Sequence, residues 1–176
     1  LTCAVLASLL GCQHKDTSSN SYATAMAVAK DAAKTHNDTI AARSYARAHA
    51  ILPKSPAPLY HLGDLSMKRG EWVKSTALFN EAIMRHPNQP TLYKKLSESY
   101  YRQGQYVPAI RALIDEFALL PRSNINQGSQ IMNDLGVMAS QLNNVKVAEC
   151  CYRTALILSP GDESVQQNLF LTRHVG

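Results

Sequence analysis

Residues 56–87 read PAPLYHLGDLSMKRGEWVKSTALFNEAIMRHP, and residues 88–121 read NQPTLYKKLSESYYRQGQYVPAIRALIDEFALLP. The two stretches align at a period of 34. Pro56 falls over Pro90, Gly70 over Gly104 and Pro87 over Pro121, and Pro53 precedes Pro87 by the same 34 residues. Pro160 follows Pro121 by 39, one period plus a five-residue insertion. A fixed period of this length marks supersecondary units that cannot bury their apolar faces alone and must stack on their neighbours. Inside each unit the apolar residues recur at helical spacing. Ala and Leu dominate, with Lys, Arg, Glu and Gln between them, and strand-type runs of Val, Ile and Thr are nearly absent. The expected class is all-α.

The columns of the period are specific. One copy reads Leu59-x2-Leu62-Gly63-x2-Ser66, then Ser75-x3-Phe79, Ala82 and Pro87. The next reads Tyr93-x2-Leu96-Ser97-x2-Tyr100, then Ala109-x3-Leu113 and Pro121. A third reads Met132-x2-Leu135-Gly136-x2-Ala139, then Ala148-x3-Tyr152, Ala155 and Pro160. A weaker copy comes first, as Ala25-x2-Val28-Ala29-x2-Ala32, then Ala41-x3-Tyr45, Ala48 and Pro53. This pattern resembles the tetratricopeptide-repeat (TPR) family. The resemblance implies a right-handed α-solenoid of about four helix pairs plus a C-terminal capping helix. The repeats would cover about 22–55, 56–89, 90–123 and 129–162, with the cap at 163–174.

Each column has a physical cause. Ala29, Gly63, Ser97 and Gly136 are small where the two helices of a copy touch, and Ala41, Ser75, Ala109 and Ala148 face them. Gly70 and Gly104 suit left-handed helix ends. The period-closing prolines stop the second helices. Pro108 is tolerated if it falls in a first helical turn, where amide hydrogens lack partners anyway. The insertion, Arg122 to Gly128, is polar and is expected as a loop. Gly161-Asp162 supplies a turn and an N-cap for an amphipathic helix in which Val165, Leu169 and Thr172 share a face.

The N-terminus reads as an address. Residues 1–10, LTCAVLASLL, are uncharged and too short to span a bilayer, but they suit the apolar core of a signal peptide. Leu9-Leu10-Gly11-Cys12 resembles the bacterial lipobox, which implies cleavage after residue 11 and a lipid on Cys12. Gln13, where an inner-membrane lipoprotein would carry aspartate, implies sorting to the periplasmic face of the outer membrane. Residues 13–21, QHKDTSSNS, lack any apolar side chain and are expected, within a 12–21 segment, as a flexible lipid-anchored tether. The fold then starts at residue 22.

Cys150 and Cys151 are neighbours, about 3.8 Å apart at Cα, too close for the usual span of a disulfide, so no bridge between them is expected and at least one is expected as a buried small hydrophobe. The net charge is +5 and the pI about 9.1, but no Lys/Arg run reaches five. A solvated basic surface, with no nucleic-acid partner, is the expectation. The six histidines show no metal-ligand spacing, and no phosphate loop or nucleophile elbow occurs. The chain is therefore expected to be no enzyme and to need no cofactor.

Function should lie on the first helices, which in TPR proteins line a groove. The family's contact columns map onto Met26, Lys30 and Lys34, then Tyr60, Asp64, Met67 and Lys68. In the later copies they map onto Lys94, Glu98, Tyr101 and Arg102, then Asn133, Val137 and Gln141. Tyrosines, methionines and five cations on one face suit a protein or peptide segment with some acidic character. A lipidated chain with a lone TPR solenoid resembles pilus-assembly lipoproteins, the TadD-like proteins of tight-adherence (Flp) pili and the type IV pilus pilotins. That resemblance implies a secretin subunit as partner. An envelope adaptor for peptidoglycan enzymes or outer-membrane assembly factors shares every one of these features, and a TPR secretion chaperone shares all but the lipid.

Overall fold

A computed structural model describes the backbone of residues 2–175 and the side chains of residues 18–174. Nine helices and no strand are found among the described residues. They are α1 (Thr2–Lys34), α2 (Asp38–Ile51), α3 (Ala57–Lys68), α4 (Trp72–Arg85), α5 (Pro90–Arg102), α6 (Tyr106–Leu119), α7 (Ile125–Gln141), α8 (Val145–Leu158) and α9 (Glu163–Val175). The class is all-α and of the TPR solenoid type, with four helix pairs followed by one more helix. The chain divides into two compact units, residues 1–87 and residues 88–176.

The 34-residue period is written into the backbone. The four second helices, α2, α4, α6 and α8, are each 14 residues long. The turns before them repeat one geometry. The amides of Asn37, Glu71, Gln105 and Asn144 reach back to the carbonyls of Ala32, Ser66, Tyr100 and Ala139 at 2.8–3.0 Å. Such a wrapped helix end needs a left-handed residue just before the donor. His36, Gly70, Gly104 and Asn143 fill that place, with φ of 57°, 73°, 71° and 55°. Asn37 and Asn144 then cap the following helices through Oδ1, to the amides of Ile40 and Val147. Pro108 sits in the first turn of α6, where it removes no helical hydrogen bond.

In the first unit α1 packs on α2, α2 against α3 and α3 on α4. Its core gathers Ala25, Met26, Ala29, Ala32, Ala41, Tyr45, Ala48 and Leu65. In the second, α5 packs on α6, α6 against α7, and α7 and α9 on α8. Ala41, Ser75, Ala109 and Ala148, the small residues of the second helices, are all fully buried. Opposite them the close approach is tightest at Gly63 and Gly136, over the rings of Phe79 and Tyr152. The Ser97 hydroxyl donates to the Ala109 carbonyl at 2.9 Å and so satisfies itself inside the seam.

Three expectations need correction. Residues 12–21 are helical, a continuation of α1, where composition pointed to a flexible tether. No Pro or Gly lies between Gln13 and Lys34, and a helix once nucleated by its packed half propagates cheaply into the polar half. Ser18 to Ser21 are exposed on it. Next, the insertion is a loop only to Asn124. Asn124 caps α7 through Gln127, so residues 125–128 form an added first turn, with Gly128 buried beside Phe117 and Leu158. Finally, Cys150 is exposed and Cys151 half-buried, so neither is a core residue, and both are free thiols. The capping helix does present Val165 inward, 1% exposed, with Leu169 packed beside it. Asp162 Oδ1 accepts from the amides of Ser164 and Val165, as its N-cap role requires.

Candidate functional site

On α5, Lys94, Glu98, Tyr101 and Arg102 stand at i, i+4, i+7 and i+8, one face of a helix. The 3.6-residue period carries their partners Leu92, Leu96, Ser97 and Ser99 into the core instead. Facing them across α6 is α7, where Asp134, Val137 and Met138 stand at i, i+3 and i+4. Between the three helices lies a cleft of about 390 Å³, walled by these residues and floored by Leu113 of α6 and Ser97. It is large enough to enclose a side chain or two of a bound segment.

The walls combine apolar and charged groups. The Tyr101 ring leans on Tyr106 with 5.7 Å between centroids, which fixes its direction. Asp134 sits deep enough that burial holds its carboxyl above the ordinary carboxylate range, with Lys94 and an Asn133 hydrogen bond opposing and Glu98 adding to the shift. Lys95, half-buried on α5, reaches Glu98 at 4.0 Å. Behind the cleft, Glu116 of α6 is fully buried. Its Oε1 accepts a 2.7 Å bond from Gln127 Nε2, its Oε2 has no partner, and burial pushes its pKa up.

Lys94, Glu98, Tyr101, Arg102 and Val137, all singled out by the contact columns, thus come together in one cleft. Column arithmetic missed Asp134, Leu113 and Met138, which enter from between columns. The i, i+3 spacing of Asp134 and Val137 was the available signal. Asn133 does not line the cleft: its Oδ1 accepts from Asn168 Nδ2 of the capping helix at 3.0 Å, and its side chain also bonds Asp134. Gln141 is exposed at the end of α7 and does not line the cleft.

The first unit gathers a different set. Asp64 meets Lys68 at 3.8 Å. His61 stacks on Tyr45 at 4.7 Å, and its pKa is lowered by burial and by Lys30 and Lys68, against the pull of Asp64. These groups therefore share one neighbourhood, in which burial disfavours the charged imidazole. Tyr60 is half-buried, edge-on to both His61 and Phe79. Lys34 is exposed in the last turn of α1. Met26 and Met67, expected as groove contacts, are core residues at 8% and 7% exposure. The first copy fills its packing columns with alanines, and the long flexible thioether of Met26 takes up the remaining volume. No cluster of His, Cys, Asp or Glu able to hold a metal is present among the described residues. The side chain of Cys12 lies outside the described residues.

No family model matches the sequence, and no curated protein matches it. Solved structures do. A crystal structure of MamA superposes with a TM-score of 0.78 at 18% identity, covering 88% of this chain and 81% of that one. PilF of Pseudomonas aeruginosa gives 0.72 at 14% identity, over 90% of this chain and 70% of the other. The first TPR domain of Spaghetti, bound to an HSP90 peptide, gives 0.60 at 18%, over 69% of this chain and 92% of that one. At these identities the likeness is one of fold, and the fold is the TPR fold.

Proposed function

We propose that this chain is an interaction scaffold of the bacterial envelope, anchored by a lipid on Cys12 and gripping a protein partner through the α5–α6–α7 cleft. The observation that carries the reading is the cleft itself. Five residues chosen by mapping the contact columns of the resembled family onto the repeats converge on a cavity with an oriented tyrosine, apolar walls and charges of both signs. Interfaces are anchored by such aromatic and Arg residues in partly enclosed pockets. One fold neighbour, the first TPR domain of Spaghetti, lends support, since it holds a peptide. The finer assignment is a pilotin-like role at the periplasmic face of the outer membrane, with a secretin subunit as the partner. Its ground is the LLGC motif at residues 9–12 and the helical repeats that follow it.

Site-specific photo-crosslinking in the producing cell tests this. A benzophenone side chain placed at Tyr101 or Val137 should capture one discrete envelope protein. The same group at Val107 or Ile157, exposed on second helices, should not. Equal capture from both sets of positions would move the binding surface off the cleft. Capture of a cytosolic protein would end the envelope assignment.

A further inference from the structure

The charges around the cleft balance. Lys94 and Arg102 line it beside Glu98 and Asp134, Lys95 pairs with Glu98, and burial favours the neutral form of Asp134. Charges of both signs on one solvated rim give no net field that would select a charged guest. Selection therefore falls to the remaining surfaces. Tyr101 of α5 and Val137 of α7 are half-buried, and Leu113 and Met138 close the base between them. The Tyr101 ring is braced by Tyr106 at 5.7 Å between centroids, so it meets a guest without first losing rotamer freedom. An aliphatic guest would gain burial alone here, and Leu and Phe gain about equally from burial. A ring gains more. Three kinds of group that hold rings better than chains surround one volume of about 390 Å³: an aromatic in Tyr101, a thioether in Met138, and the cations Lys94 and Arg102.

We propose that the cleft is a socket for an aromatic side chain, a Phe, Tyr or Trp on the docking segment of a protein partner, set against Tyr101 with Lys94 and Arg102 at its rim. This rests on the reading of the cleft as the binding site. It replaces the acidic character that the five cations of the first-helix face suggested, since only two of them line the cleft and two acids stand with them.

A display library of random linear peptides, panned on the intact chain, tests the assignment. The enriched peptides should share one aromatic residue. Changing it to Leu should weaken binding by about three- to tenfold, and changing it to Ala by more. Raising the salt from about 0.05 to about 0.5 M should alter the affinity by less than about twofold. Tyr101→Leu should bring the Phe and Leu forms of one peptide to within about twofold of each other, a lost preference that lost stability alone would not produce. Arg102→Gln, at an exposed position, should narrow the same preference by about twofold. Enriched peptides that share no ring, that bind equally with Leu in its place, or that let go in salt overturn the aromatic socket. If Val137→Trp, which fills the cleft, still blocks those peptides, the binding cleft stands. A library that yields no peptide, or only peptides indifferent to Val137→Trp, overturns the cleft reading and this inference with it.

Discussion

A Cβ added at Gly63 would lie 2.7 Å from Cε1 of Phe79, and one added at Gly136 would lie 2.5 Å from Cε1 of Tyr152. Neither ring has room to retreat, since Phe79 and Tyr152 are 0% and 2% exposed. Gly63→Ala and Gly136→Ala should therefore each cost about 1–3 kcal/mol, read as a lowered melting midpoint in urea with unchanged slope. Wild-type stability in either variant would mean that the seams are looser than these distances. Tyr101 poses the opposite problem, a residue with two duties. Its ring packs on Tyr106 and belongs to the core of α6 and α7 as well as to the cleft. Tyr101→Ala should thus cost both folding stability and about 1–3 kcal/mol of partner affinity, whereas Tyr101→Phe keeps the packing and isolates the hydroxyl. Partner titration of both variants beside their melting curves checks this. Tyr60 is likewise wedged against His61 and Phe79. Sequence columns nominate residues for a groove, but not how far each side chain also packs into its own core, as the buried Met26 and Met67 show.

Among the elements, α7 is the one whose start the repeat arithmetic misplaced. The five extra residues after Pro121 suggested a loop, but Asn124 caps the helix and Asn124 Nδ2 donates to Gln127 Oε1 at 2.8 Å. Gln127 in turn donates to the buried Glu116, so the insertion is tied down by a carboxyl eleven residues upstream. No spacing rule reveals such a tie, because Glu116 looks like one more exposed acid on an amphipathic helix. Its consequence is a dependence on pH with a definite sign. Burial raises the Glu116 pKa, with Gln127 and Lys94 opposing and Asp134 adding, and Asp134 is shifted upward as well. The neutral acids are the forms that favour folding. Their contribution is full below the ordinary values of 4.5 and 3.8 and is lost as pH rises through the raised ones. Glu116→Gln, which keeps an acceptor for Gln127, should remove most of that decline. Melting temperatures of wild type and variant should converge in acid and separate, with the variant higher, toward neutral pH. Parallel curves across the whole range would show that Glu116 does not titrate in this window.

For the whole molecule, the helix pairs, the caps at Gly70 and Gly104 and the stops at the prolines were all legible, because one geometry had to be specified four times. The N-terminal segment was less so. Its composition described polarity correctly but not conformation, since nothing in QHKDTSSNS forbids a helix that the neighbouring repeat has already nucleated. Attachment can be tested there directly. Cys12→Ser should shift the protein from the membrane pellet to the soluble or precursor pool while leaving its helical circular dichroism unchanged, and the lipid label carried by the wild type should be absent from the variant. An unlabelled wild type with the same pelleting as the variant would refute lipidation. Among the described residues no helix is long and apolar enough to cross a membrane.

The column of left-handed residues also marks where this protein could be made hardier. Two of its four members are glycines, while His36 and Asn143 hold the same turn with a Cβ in place. An L-residue there costs roughly 1–2 kcal/mol, less for asparagine, and glycine returns part of that to chain entropy. His36→Gly should accordingly gain somewhat under about 1 kcal/mol, and Asn143→Gly less. Neither site lines the cleft, so thermal tolerance could be raised there by calorimetrically measurable steps at no cost in recognition.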